Sequence, residues 1–155
     1  MKELALQYST IILFLHVFSG VIWVGGMIAI RVAVHPVMQS IEDPAIKLGK
    51  TLEIVGRLFH LVIPFIIFLI LTALIFEIYW EYSGILIRIK EGIWSIMTLN
   101  FIYMYLRRYK AWKLFQAGKL KEAKELAKPL PNLLLPINIF LGVVAIFLGV
   151  ILRGF

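Results

Sequence analysis

Polar residues in this chain fall in clumps, and between the clumps the sequence stays apolar for about the depth of a bilayer. Four apolar runs stand out, at 11–34, 58–80, 84–106 and 133–152. A helix needs about 20 mostly apolar residues to cross the hydrocarbon core, and each run has them. The first is too long for the apolar part of a cleaved leader and lacks a small-residue cleavage site, so it reads as a span. Only "EYSG" separates the second run from the third, which predicts an antiparallel hairpin there. The pattern predicts an all-α protein, an integral-membrane four-helix transmembrane bundle forming one domain over 1–155, without internal repeats.

The connections carry the charge, and their charge sets the expected orientation. The third, a basic loop over 107–131, holds Arg107, Arg108, Lys110, Lys113, Lys119, Lys121, Lys124 and Lys128. The first, with its helix ends, holds Arg31, Lys47, Lys50 and Arg57, whereas the second has only Glu77 and Glu81 nearby. Positive charge collects on the cytoplasmic side, so connections one and three are expected inside and both termini on the outer side. The loop also has a helical pattern, with Leu114, Leu120 and Leu126 among its basic residues. It is expected to lie along anionic lipid, which attracts each nearby basic residue by about 1 kcal/mol.

Composition supports the bilayer and narrows the chemistry. The chain is 61% hydrophobic and 16% charged with a mean hydropathy of +0.93; a soluble domain carries roughly 25% charged residues. It has no cysteine, which excludes disulfides, thiolate metal sites and thiol catalysis. The net charge of +7 does not call for nucleic acid, because the basic residues sit between the spans and lipid is the nearer explanation. The expected partners are the lipid bilayer and an apolar small molecule.

Polar groups inside a span mark a candidate site. With the first and third helices both running inward, His16 lies roughly 8 Å and Lys90 roughly 9 Å below the outer edge, at 1.5 Å per residue. His60 falls near the inner edge with Arg31, His35 and Arg57, so His16 and His60 are expected to be too far apart for one metal. At helical spacing His16 shares a face with Gly20, Trp23 and Met27, and Lys90 shares one with Trp94, Met97, Phe101 and Met104. Glu91, Ser95, Thr98 and Tyr105 form the adjacent stripe. Gly20 removes a side chain one turn below the imidazole, leaving room for a flat ligand. Haem fits that description: iron takes imidazole, and the pocket's polarity tunes its potential. A lysine amine can ligate only when neutral, a form favoured in low dielectric.

These residues also carry a family resemblance. The pattern His16, Trp23, Gly25 and Gly26, followed by Arg31 and His35, resembles the first helix of the CopD/HemJ group of small membrane proteins. "RIKEGIWSIM" and the basic "YLRR" after it are similar to the third-helix segment of HemJ. Where HemJ proteins tend to carry an Asn-Glu-x-Pro-like stretch, this chain reads "KPLPNLLLPINIF". The resemblance implies a haem-b-dependent oxidoreductase of the bacterial or archaeal cytoplasmic membrane acting on protoporphyrinogen or a quinol. It also implies that His16 and Lys90 form the functional pair, with Lys90 as second ligand or base and Glu91 beside it.

Several alternatives stay open. His16 can simply bond a neighbouring helix, and Lys90 can extend its amine to the headgroups. Arg31, His35 and Arg57 can anchor phosphates or haem propionates, and a second haem near His35 and His60 is a further option, with His60 as its ligand. Copper transport or resistance of the CopD type is the competing reading, with copper as the competing metal, because thioether sulfur at Met27, Met97 and Met104 suits Cu(I). A structural subunit without a cofactor is the third reading. Gly25, Gly26, Gly142 and Gly149 are expected to be close-packing points between helices, and small-residue surfaces of this kind also allow a homodimer.

Overall fold

The computed structural model describes residues 7–80 and 84–152, without the side chain of Trp80. Four long helices and one short one make the fold: α1 (Ser9–Gln39), α2 (Pro44–Trp80), α3 (Ile85–Gln116), the short α4 (Leu120–Ala127) and α5 (Leu135–Leu152). There is no strand among the described residues. α1 packs on α2, α2 on α3, α3 on α5 and α5 back on the middle of α1. The long helices therefore form a closed ring running alternately up and down.

Local sequence explains three of the helix ends. Asp43 caps α2: its Oδ1 accepts from the backbone N–H of Ala45 at 2.7 Å and Ile46 at 3.0 Å. Pro44 begins that helix, where a missing N–H costs nothing. Gly118 ends α3 at φ 75°, a left-handed conformation that suits a residue without Cβ. The "EYSG" turn lies outside the described residues except for Gly84, which enters α3 at φ 122°.

Proline shapes two of the three widened turns. π-type turns occupy Val21–Gly25 and Ile30–Val34 within α1, and Leu130–Leu134 leads into α5. The second and third stand just before Pro36 and Pro136, residues that cannot donate to the carbonyl four positions back. Each closes with an N–H bonded five residues back, His35 to the Ile30 carbonyl and Leu135 to the Leu130 carbonyl. Widening the turn thus lets the helix continue through the proline.

Outward faces are apolar. Ile11, Val32, Leu61, Phe68, Leu99, Ile102 and Phe140 are all exposed, far more bare apolar surface than a water-soluble monomer shows. α1, α2 and the stretch Leu120–Leu152 are long and apolar enough to cross a membrane. This is a helical membrane protein of the multi-pass kind. α3 misses that standard of length and composition because Arg88, Lys90 and Glu91 interrupt its apolar run.

The basic connection differs from expectation. α3 runs unbroken to Gln116, and 37-residue α2 begins well before the apolar run. Both project beyond the spans, and α4 folds back onto α3. The buried face of α4 is Ala123 and Ala127, Ala111 on α3 is fully buried, and Leu120 stays exposed. Alanines allow close helix approach, so α4 is a packed cap on the bundle as well as a basic surface. Arg108 ties the projecting end of α3 to α2: its Nε–H donates to the Leu52 carbonyl at 2.8 Å, and its guanidinium lies 5.2 Å over the Trp112 ring. Gly56 leaves the room that guanidinium occupies.

Candidate functional site

Two polar layers lie in the bundle, one near each end. At the end where α1 and α3 begin, His16 of α1 meets Thr72 of α2, and Lys90 of α3 meets Gly149 of α5. Thr72 is buried on α2, and its hydroxyl donates to the Phe68 carbonyl at 2.6 Å. That hydroxyl oxygen stands 2.8 Å from Nδ1 of His16. With the Thr72 proton committed to Phe68, the imidazole must donate from Nδ1. Its Nε2 then carries the lone pair, the form in which histidine binds a metal or takes a proton. Phe76 meets the His16 ring edge-on at 5.3 Å between centroids.

Lys90 enters this layer from α3. Its amine crosses toward α5, where a Cβ on Gly149 would stand only 3.1 Å from Nζ. Gly149 is thus a seat for the lysine head, and the glycine expected as a helix–helix contact packs against an amine instead. Glu91, one residue on, turns aside and accepts from Arg88 at 3.0 Å.

One and two turns below His16 on the same side of α1, Ser19 and Trp23 are buried, and neither Ser19 Oγ nor Trp23 Nε1 has a hydrogen-bond partner among the described residues. Buried polar atoms are almost always paired, so these two mark a place where a polar ligand atom or a water belongs. Nothing stands within 4 Å of the Cβ position at Gly20, and that agrees with the room expected there. Below Trp23 the bundle closes. Trp23 packs edge-on against Phe101 at 6.1 Å, Phe101 against Phe59 at 5.0 Å, and Met27, Met97 and Met104 are buried in the same core. These sulfurs are packing residues. Trp94 is half-buried, and its carbonyl accepts from the Thr98 hydroxyl at 2.8 Å.

The other layer does not gather the remaining candidates into one site. Nδ1 of His35 stands 3.2 Å from the Arg31 guanidinium and Nε2 stands 3.2 Å from Gln39, all within α1. His60 lies on the exposed side of α2, 3.4 Å from the Tyr105 hydroxyl of α3. Arg57 is exposed and donates to Glu53 at 2.8 Å. His35 does border a cavity of about 20 Å³ among Ile30, Val34, Phe59, Met104 and Leu135, room for one water. No group of three or more His, Asp or Glu side chains that could hold a metal occurs among the described residues.

The sequence reading missed three polar features. Thr72 was one; its only signal was a hydroxyl one turn from Phe76 within an apolar run. A second was the clasp between α3 and α5. Asn100 Nδ2 donates to the Leu134 carbonyl at 2.9 Å and to Asn138 Oδ1 at 2.7 Å, and Asn138 Nδ2 donates to the Met97 carbonyl at 3.1 Å. Asn138 is fully buried. The third was the unpartnered Ser19.

No family model, curated protein or solved structure matches the chain.

Proposed function

We propose that the chain crosses the bilayer four times, with both termini outside, and binds a b-type haem through His16. The fourth crossing would be α3, which presents Ile96, Leu99, Ile102 and Leu106 outward below Lys90 and Glu91. Bound haem would supply a one-electron redox centre, suited to an apolar substrate such as a porphyrinogen or quinol that reaches the site from the membrane.

The observation that carries this reading is the anchored imidazole. Nδ1 is held by Thr72, so Nε2 is set as donor atom, and such outer partners orient histidines that bind metals. The donor set fits the group: neutral imidazole for the iron, an amine on α3, and two buried donors without partners among the described residues, one and two turns below. Seating a macrocycle requires Phe76 to swing from the His16 ring edge, with the open side of Gly20 as the adjoining space. Lys90 would then be the second ligand when neutral, or the proton donor to substrate when charged.

The test is haem content. Protein purified in mild detergent from a haem-replete host should yield a pyridine haemochrome near one haem per chain. A value near two would support the second site. Protein free of haem would sink the proposal, and copper analysis of the same sample would decide the competing cofactor.

A further inference from the structure

At the opposite end of the bundle from His16, a groove of about 460 Å³ opens on the outer surface between α1 and α5. Its walls are Ile28, Val32, Ile139, Phe140 and Val143, with Pro136 and Arg31 at its foot. α1 runs down and α5 runs up, so Arg31, Val32 and Pro136 share the lower end while Ile28 and Val143 share the upper end. The apolar part follows α5 for seven residues, roughly 10 Å at 1.5 Å per residue.

Arg31 makes this more than a bare apolar face. Its only hydrogen-bond partner among the described residues is Nδ1 of His35 at 3.2 Å, and no described carboxylate pairs with it. A guanidinium needs a neutral acceptor there, so Nδ1 is the unprotonated nitrogen. One guanidinium edge is held by His35, while the charge itself has no counter-ion among the described residues. By contrast Arg57, the other arginine of this region, has Glu53. An unbalanced guanidinium at the foot of an apolar groove is complementary to one kind of molecule, an anionic amphiphile with its charge at the interface and its chain toward the bilayer centre. Arginine forks match phosphate oxygens, and basic sites between membrane helices hold lipid headgroups.

We propose that this groove binds an anionic phospholipid, with its phosphate on Arg31 and one acyl chain along Phe140 and Val143. The exposed apolar walls and the unpaired charge are then two halves of one site, which is separate from the His16 layer and independent of any cofactor there.

The test compares lipids and variants on the full chain in nonionic detergent, by native mass spectrometry and by thermal unfolding. Phosphatidylglycerol should remain bound and raise Tm where phosphatidylcholine does not. Arg31→Gln should weaken that retention at least tenfold, and Arg57→Gln should leave it within twofold. Val143→Trp keeps the guanidinium but fills the upper groove; retention should fall there too, which covers failure of Arg31→Gln to fold. Equal retention of both lipids, equal loss in both arginine variants, or the same protection by inorganic phosphate alone would each overturn the proposal.

Discussion

Replacing Asn138 by alanine, alone and together with Asn100→Ala, measures how much of the bundle is held by polar contacts. Asn138 makes two hydrogen bonds and Asn100 makes two, one of them shared. Interhelical hydrogen bonds in membranes average about 0.6 kcal/mol, so each single variant should lose about 1.2 kcal/mol from its bonds. The double variant loses three distinct bonds and should fall about 1.8 kcal/mol, leaving a coupling of about 0.6 kcal/mol. Because Asn138 is fully buried, its truncation adds a cavity cost that appears in both legs of the cycle and cancels. Reversible unfolding in mixed micelles with increasing dodecyl sulfate gives all four free energies. Strictly additive losses would refute the clasp as a coupled unit.

Other perturbations separate packing from chemistry. Gly142→Ala would bring a Cβ to 2.6 Å from Val24 Cγ2 and 3.2 Å from Met97 Cε, and overpacking of this kind costs about 1–3 kcal/mol; Gly25→Ala, with nothing within 4 Å, should leave Tm unchanged or higher in the same thermal melt. Thr72→Val keeps the shape but removes the acceptor from His16 Nδ1; haem affinity, read by titration of apo protein, should fall about 10- to 100-fold, and Thr72→Ser should restore it. Met27→Leu should cost less than about 1.5 kcal/mol and leave metal content unchanged, since that methionine is buried in the core; a loss of bound copper would favour the competing cofactor.

Much of the architecture was written in hydropathy, because a bilayer-length apolar run leaves a helix few alternatives. Where the helices end was less legible. The basic residues after 106 marked where the apolar run stops, but helical propensity carries α3 on to Gln116, and only Gly118 ends it. The shared level of His16 and Lys90 is an expectation from rise per residue, whereas the partner of each is set by the fold. Thr72 stands 56 residues from His16 and Gly149 lies on a third helix, so only the ring order of the bundle reveals them. Glycine was legible as a class but not by role: Gly26 and Gly142 meet neighbouring side chains, Gly25 meets none, and Gly149 meets an amine. His35 and His60, similar in depth by sequence, turn to different neighbours because helical phase, unlike depth, depends on which helix stands alongside.

We propose His16, set by Thr72, as the ligand-bearing residue of the bundle. Its most direct test is the reduced-minus-oxidised visible spectrum of the purified protein beside His16→Ala and His60→Ala. A Soret band and a sharp reduced α-band are expected in the parent, lost in His16→Ala and retained in His60→Ala. An unchanged spectrum in His16→Ala, or a colourless parent, would contradict it.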